Sequence, residues 1–179
     1  MRCSWVNLNN PLYVKYHDSE WGVKSFDDNY LYEMLLLESF QAGLSWECIL
    51  NKRESFRVSF DNFDYNKISK YDENKVNELL NNKSIIRNRL KINAAINNAK
   101  VFIKIRKEYG SFSNYIWNFT NGNVIKNKDD VFYTTSTLSD KISNDLKKRG
   151  MKFVGSTIIY SYLQAIGIID DHELNCDKY

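Results

Sequence analysis

Proline, histidine and cysteine are scarce in this sequence, and none of its hydrophobic runs is long. The 179 residues include one proline, two histidines and three cysteines. The longest apolar runs, such as MLLL and AIGII, are much shorter than the roughly 20 residues of a membrane-spanning helix. The N-terminus lacks the basic and apolar regions of a signal peptide. We therefore expect no membrane association and a cytoplasmic location, where cysteines do not usually form disulfides.

The charge balance of the chain is also mild. Lysine and arginine number 25 against 22 acidic residues, a net charge of +3. Such a balance does not identify a nucleic-acid partner by itself, so the position of the charges has to decide. Hydrophobic residues make up 43% and charged residues 26%, which is typical of a globular protein. No linker or internal repeat interrupts the chain, and we expect a single domain over residues 1–179.

Apolar residues recur at helical spacing along most of the chain, and sustained alternation typical of strands is absent. Seven segments predict helices, namely 27–43, 45–60, 72–82, 84–110, 111–119, 137–150 and 155–167. Thr137 and Asp140 suit a capping box at the start of the sixth helix. The sequence therefore predicts an all-α fold with irregular ends at residues 1–26 and 168–179.

Both histidines and two of the three cysteines fall in these predicted irregular ends. Cys3 and His17 lie near the N-terminus, and His172 and Cys176 lie in the closing stretch DDHELNC. Two thiolates and two imidazoles fill a tetrahedral zinc shell with no position left for water, so such a zinc would be structural and would join the chain ends. The spacing is not a local zinc-finger pattern, and a partly buried cysteine with two surface histidines is the alternative. Cys48, within SWECIL, is most simply a small core residue.

Aromatic residues are concentrated in the same N-terminal segment. Trp5, Tyr13, Tyr16 and Trp21 occur within seventeen positions, and Trp46 follows. Half-exposed aromatic rings suit a pocket that stacks a flat ligand such as a nucleobase. The alternative is that these rings only cover a helical core.

Glu38 directly follows four apolar residues in a helix that is apolar on most sides. A carboxylate buried there is costly unless it is paired, and a desolvated acid among aromatic rings is a candidate for ligand recognition or catalysis. The alternative is a glutamate that reaches solvent as the helix turns.

Basic residues cluster in two places. The first cluster lies at the junction of two predicted helices and comprises Lys83, Arg87, Arg89 and Lys91. A turn followed by a helix N-terminus, with cations nearby, suits a phosphate group. The second cluster, at 147–152, ends a helix, where cations complement the helix dipole without any ligand.

With these features, the chain resembles the bacterial 3-methyladenine DNA glycosylase I family, zinc-containing members of the helix-hairpin-helix DNA glycosylase superfamily. YHDSEWG together with QAGLSW is its most specific feature. The matching segments run from one end of the chain to the other, and they are CSWV, PLYVKYHDSEWGV, LESFQAGLSWECILNKRESFR, IIRNRLKINAAINNA, LKKRGMKFVGSTIIYSYLQAIGIIDDH and HELNC.

The resemblance implies an enzyme of base-excision repair. Such an enzyme hydrolyses the N-glycosidic bond of 3-methyladenine in double-stranded alkylated DNA, releases the base and leaves an abasic site, and we expect it to act as a monomer. The nucleotide has to flip out of the stack to be reached. By resemblance Trp46 stacks on the base, while Glu38 and Tyr16 recognise its polar edge. The resemblance assigns the remaining pocket walls to Tyr13, Trp21 and Trp5.

The resemblance also assigns DNA contacts and metal ligands. A wedge at 41–45 enters the DNA, and a helix-hairpin-helix at about 76–95 grips the phosphate backbone. The wedge residues are Gln41, Gly43, Leu44 and Ser45, the hairpin cations are Lys83 and Arg87, and the ligands of one structural zinc are Cys3, His17, His172 and Cys176. Many members have glycine in the hairpin turn where this chain has Ser84, and serine does not adopt positive φ freely. We therefore expect a slightly different grip on DNA.

This family lacks the catalytic aspartate that many relatives carry after the hairpin. N3-methylated adenine is cationic and is already a good leaving group, so we expect Glu38 to favour the charged base over normal adenine and not to activate water. Two alternatives stay open. One is a catalytically silent DNA-binding module, although Glu38, Tyr16 and Trp46 would then be unnecessary. The other is a zinc hydrolase, which needs an open zinc position that two cysteines and two histidines do not leave.

Overall fold

The computed structural model describes residues 1–129 and 131–179, and their regular structure is almost entirely helical, as the sequence predicts. The helices are α1 (Pro11–Ser19), α2 (Asp28–Gln41), α3 (Trp46–Leu50), α4 (Arg53–Ser59), α5 (Tyr65–Ile68), α6 (Glu73–Asn81), α7 (Arg89–Tyr109), α8 (Phe112–Asn118), α9 (Thr137–Lys148) and α10 (Ser156–Ala165). A 3-10 turn spans Asp61–Phe63, and β1 (Ile125–Lys126) pairs in parallel with β2 (Ile169–Asp170). Within these residues, no helix combines the length and apolar character needed to cross a bilayer.

Helix α2 lies at the centre of the core. Asp27 caps its N-terminus, and every residue from Leu31 to Phe40 is buried. A helix that is buried on all sides shows no single apolar face, which explains why this segment reads as apolar throughout. Helix α2 packs against α3, α7, α8 and α10. The polar side chains between Leu31 and Phe40, Glu38 included, are consequently placed inside the protein.

The N-terminal segment is more regular than predicted. The expectation of an irregular stretch over 1–26 is wrong where α1 forms. Asn10 caps this helix with its side chain, and Pro11 occupies the first turn, where its missing N–H has no helical partner to lose. Helix α1 carries both Tyr16 and His17, so one short element positions a pocket candidate and a metal-ligand candidate.

Two predicted helices have different boundaries in the structure. The segment 45–60 forms α3 and α4, separated at Asn51 and Lys52. The segment 84–110 becomes helical only at Arg89, because the Asn88 side chain caps the helix there by accepting from the backbone N–H of Lys91. Residues before Asn88 are therefore free to form the turn between α6 and α7.

The capping box of α9 lies one residue earlier than predicted. It joins Ser136 and Ser139, whose side chains each accept a hydrogen bond from the other residue's backbone N–H at 3.1 and 2.7 Å. The assignment to Thr137 and Asp140 is wrong because serine, as well as glutamate or glutamine, can close the box from the third helical position.

The two chain ends lie side by side. The backbone N–H of Asp177 donates to the carbonyl of Met1 at 2.8 Å, and the Ser4 hydroxyl donates to Glu173 at 2.6 Å. Apart from β2, residues 168–179 are irregular, as predicted. This arrangement brings the N-terminal and C-terminal cysteines and histidines to one place.

Candidate active site

One pocket of about 250 Å³ collects the predicted base-binding side chains. It is lined by Trp5, Tyr13, Tyr16, Trp21, Glu38, Gln41, Trp46, Phe132, Ser161 and Gln164. All six predicted pocket residues and the predicted wedge residue Gln41 are among them. The rings pack on one another, with centroids 5.2 Å apart for Tyr16 and Trp46 and 4.8 Å apart for Trp5 and Trp21. The rings therefore form pocket walls and do not only cover the core.

Glu38 presents an unsatisfied acid to this pocket. The residue is 2% exposed, and its Oε2 has no hydrogen-bond partner among the described residues. The alternative that Glu38 reaches solvent is therefore wrong. Burial raises the pKa of the Glu38 carboxyl well above its ordinary value, because desolvation penalises the charged form. The protonated form of Glu38 is therefore favoured more strongly than in an exposed glutamate.

Trp46 adds a second unsatisfied polar atom. It opens helix α3, whose N-terminus is capped by the Ser45 hydroxyl accepting from the backbone N–H of Cys48 at 3.2 Å. Its Nε1 is buried without a partner among the described residues. Trp46 thus offers both a ring face for stacking and an N–H donor for a polar ligand.

Three metal-ligand candidates form a buried group. The ligand atoms of Cys3, His17 and Cys176 all lie within 4.8 Å of one another. Cys176 Sγ is 3.5 Å from His17 Nε2, and the backbone N–H of Glu173 donates to Cys3 Sγ at 3.5 Å. Cys48 is not part of the group and is half-buried on α3. Soft sulfur and imidazole nitrogen together are the donor types that zinc prefers.

His172 lies against this group and supplies a fourth nitrogen. Its ring centroid is 5.4 Å from that of His17, and its Nε2 is buried without a partner among the described residues. Asp170 accepts from Nδ1 of His172 at 2.7 Å, and Asp18 accepts from Nδ1 of His17 at 2.9 Å. Because a carboxylate only accepts, Nδ1 carries the proton in both rings and Nε2 keeps the lone pair that a metal needs. Both histidines are buried, so the surface alternative is wrong.

The predicted wedge is a tight turn at the end of α2. The backbone N–H of Leu44 donates to the carbonyl of Gln41 at 2.7 Å. Ala42 has φ −46° and ψ 116°, and Gly43 has φ +77°, which is a type II turn with glycine at its third position. Leu44 is 40% exposed, and Ser45 follows it on the surface. The turn therefore projects an apolar side chain beside a pocket that Gln41 helps to line.

The predicted hairpin consists of α6, residues 82–88 and the start of α7. The side chain of Asn82 accepts from both the backbone N–H and the hydroxyl of Ser84, at 2.9 and 2.6 Å. The φ angle of Ser84 is not positive, so serine fits this turn without strain.

The cations near the hairpin differ in their partners. Lys83 and Arg87 are exposed, and neither forms an ion pair with another described residue. Arg89, in contrast, pairs with Glu73 of α6. In the second basic cluster, Arg149 pairs with Asp145 and Glu108. Of the four basic residues at the hairpin, Lys83 and Arg87 are therefore the two that are exposed and without an ion-pair partner among the described residues.

Comparison with known proteins identifies the relatives of this chain. The methyladenine glycosylase family model matches residues 5–179. DNA-3-methyladenine glycosylase 1 of Escherichia coli (strain K12) is 42% identical over 181 residues, which cover 99% of this chain and 96% of that protein. This chain belongs to the methyladenine glycosylase family.

Solved structures agree with this membership. A crystal structure of 3-methyladenine DNA glycosylase I superposes with a TM-score of 0.95 at 43% identity, and the match covers 99% of this chain and 98% of that one. A substituted 3-methyladenine DNA glycosylase I in complex with 3-methyladenine gives a TM-score of 0.92 at 33% identity, over 98% and 96% of the two chains.

Sequence reasoning did not predict three pocket residues of this methyladenine glycosylase, namely Phe132, Ser161 and Gln164. Gln164 follows Tyr162 and Leu163 in a mainly apolar stretch of α10, a signal similar to the one that pointed to Glu38. Its Nε2 donates to Asp171 at 2.6 Å, which fixes the amide. The exposed Phe132 and the small Ser161 gave no comparable signal, because only the folding of the chain brings them to the pocket.

Proposed function

We propose that this chain is a monofunctional DNA-3-methyladenine glycosylase. It hydrolyses the N-glycosidic bond of 3-methyladenine in alkylated double-stranded DNA, releases the base and leaves an abasic site. The observation that carries this proposal is the buried, unpartnered Glu38 in a ring-lined pocket, within a chain of the methyladenine glycosylase family. A surface that only binds DNA has no use for such a pocket, so the silent-module alternative is disfavoured.

Charge distinguishes the damaged base from the normal one. N3-methyladenine in DNA is a cation, whereas adenine is neutral. A cation in the pocket lowers the pKa of Glu38 again, and the resulting carboxylate attracts it. Opposite charges about 4 Å apart interact by about 4 kcal/mol near a protein surface, before desolvation is counted. Since 1.4 kcal/mol is a factor of ten, even half of this energy would give more than tenfold preference for the charged base.

Bond cleavage itself needs little help from the protein. The electron pair of the bond between the sugar C1′ and the base nitrogen moves to the base, which leaves as a neutral molecule. A water oxygen bonds to C1′, and the proton of that water goes to solvent. Trp46 stacks on the departing base while Tyr16 contacts its edge, and stacking contributes about 1–3 kcal/mol per base. Glu38 acts on the charge of the base and not on the attacking water.

DNA binding uses the surface beside the pocket. Flipping the nucleotide costs a few kcal/mol, and less for a damaged base. Leu44 on its type II turn replaces the base in the stack, with Gln41, Gly43 and Ser45 forming the rest of the wedge. Lys83 and Arg87 on the hairpin bind phosphates of the same duplex. We expect this enzyme to act as a monomer in the cytoplasm, where its DNA substrate is.

We also propose that one structural zinc joins the chain ends. Cys3, His17, His172 and Cys176 would hold it, and the unpartnered Nε2 of His172 supports their fit to the metal. A zinc with four protein ligands has no open position, so it stabilises the fold and takes no part in the hydrolysis.

The test is to incubate the purified protein with methylated duplex DNA and to identify any released base. We expect free 3-methyladenine and an abasic site from the native protein, and much less from E38Q. Binding of the duplex without any released base would support the silent module instead. Chelation of zinc tests the zinc-hydrolase alternative. If the zinc were catalytic, chelation would abolish activity while the fold remains intact.

A further inference from the structure

Lys91 is a buried cation that has no carboxylate partner among the described residues. The residue is 8% exposed, and burial lowers the pKa of its ammonium group. Its Nζ donates to the carbonyl of Phe40 at 2.8 Å and to the carbonyl of Ala42 at 2.6 Å. Lys91 belongs to the first turn of α7, whereas its acceptors belong to the end of α2. A single side chain therefore connects the hairpin to the helix that carries Glu38.

The two carbonyls have different roles. That of Phe40 is among the last carbonyls of α2, which have no partner within the helix and favour a cation nearby. That of Ala42 belongs to the central peptide of the type II turn at 41–44. Type I and type II turns differ by a flip of this central peptide. A donor fixed on the Ala42 carbonyl therefore holds this peptide in its type II orientation and ties the turn to the start of α7.

A second contact joins the hairpin turn to the segment between α3 and α4. The Nζ of Lys52, between α3 and α4, lies 3.4 Å from the carbonyl of Ser84 in the hairpin turn. This contact is longer and exposed, so it adds less than the buried pair of hydrogen bonds at Lys91.

We propose that Lys91 is a positioning residue that fixes the 41–45 wedge against the start of α7, so that wedge and phosphate grip meet the DNA as one rigid surface. This inference rests on the proposed glycosylase function. Lys91 touches neither the base nor the reacting atoms, and it acts through the geometry of the turn. Its loss should impair flipping of a paired nucleotide and leave binding of a free base intact.

The experiment compares K91M with K91R and with K100M. Methionine keeps an unbranched apolar stem and removes the donor, arginine keeps a cationic donor, and Lys100 is an exposed residue on the same helix. Two quantities are measured for each protein, the single-turnover rate of 3-methyladenine release from duplex DNA and the affinity for free 3-methyladenine. We expect K91M to lose at least tenfold in the release rate with a free-base Kd within twofold of the native value. K91R should recover most of the rate, and K100M should match the native protein.

Two results would overturn the role of Lys91. One is an unchanged release rate in K91M, and the other is a parallel loss of release rate and free-base affinity, which indicates general damage to the fold. If K91M does not fold, K91Q takes its place, since the amide is a weaker, neutral donor, and the same comparison decides. Failure of the proposed function looks different, because the native protein itself would then release no 3-methyladenine.

Discussion

The rings of Trp21 and His172 are in edge-to-face contact, with centroids 4.6 Å apart and planes at 75°. Trp21 also lines the pocket that holds Glu38 and Trp46, where its ring lies 4.8 Å from that of Trp5. The wall of the pocket is therefore also a neighbour of the proposed zinc. If the proposed zinc site becomes disordered, we expect the pocket wall to become disordered too, because Trp21 and His172 are in direct contact.

Removal of a proposed zinc ligand should thus affect both folding and base binding. We expect native protein to contain one zinc per chain and H172A to contain less. Because zinc binding is coupled to folding, a loss of about 3 kcal/mol would lower Tm by roughly 6–12 °C in a chain of this size. The affinity of H172A for free 3-methyladenine should fall as well. Elemental analysis, thermal unfolding and base titration check these three outcomes, and C48S, which alters a cysteine outside the group, should retain native values.

Gly22 should be intolerant of any side chain. Its φ is +76°, and a Cβ there would lie 2.7 Å from Cε1 of His172. We expect G22A to lose about 1–3 kcal/mol from backbone strain alone and to bind zinc less tightly. The matched control is G155A, since a Cβ at Gly155 would meet nothing within 4 Å and its φ is −61°. Denaturant unfolding and zinc content provide the measurements, and equal behaviour of the two variants would contradict the proposed contact.

In the protein without base or DNA, Glu38 should lower the free energy of unfolding at pH values above 4.5. The unfolded carboxyl titrates near its ordinary pKa of 4.5, and burial raises the folded pKa well above this value. The folded state consequently binds more protons at Glu38 between these two pKa values, so the contribution of Glu38 to stability is greatest below pH 4.5 and is lost as pH rises through the folded pKa. E38Q cannot ionise and should lack this contribution.

The measurement is denaturant unfolding of native protein and E38Q at several pH values, without base or DNA. We expect E38Q to be the more stable protein at neutral pH, although it releases less 3-methyladenine. Taking the difference between the two proteins removes the contribution of other titrating groups. A difference that does not vary with pH would show that Glu38 has an ordinary pKa.

The exposed hairpin cations should contribute to DNA affinity through phosphate contacts. K83A and R87A should each weaken binding of any duplex sequence and lower the slope of log affinity against log salt by about 1. The control is K107A. Lys107 is exposed, and at a rise of about 1.5 Å per residue it lies about 27 Å along α7 from the first residue of that helix, Arg89. Salt titrations of duplex binding give the slopes. An unchanged slope for both hairpin variants would place the phosphate contacts elsewhere on the protein.

Apolar periodicity and capping residues, which are local features of the sequence, predicted most of the helices. Particular residues explain why other helix boundaries were not predicted. The apolar periodicity of α2 and α10 located both helices, because burial of a helix leaves a pattern in its own sequence. Asn10 and Pro11 are an equally local signal for α1, which could have been recognised from the preference of proline for the first helical turn. The turn before α7 was mistaken for helix because Ile85 and Ile86 are apolar, although a buried turn also needs apolar residues.

The sequence by itself determined the helical class, the set of two cysteines and two histidines, and the concentration of aromatic residues near the N-terminus, since residue type and spacing express these features. Only the tertiary structure decided that Glu38 is unpartnered, that Lys91 binds two carbonyls of α2, and that Gln164 and Phe132 reach the same pocket. The physical reason is that partnering and desolvation depend on which distant atoms meet, and chain spacing does not specify those meetings. Lys91 and Phe40 are fifty-one positions apart, and their contact exists only because α7 packs against the end of α2.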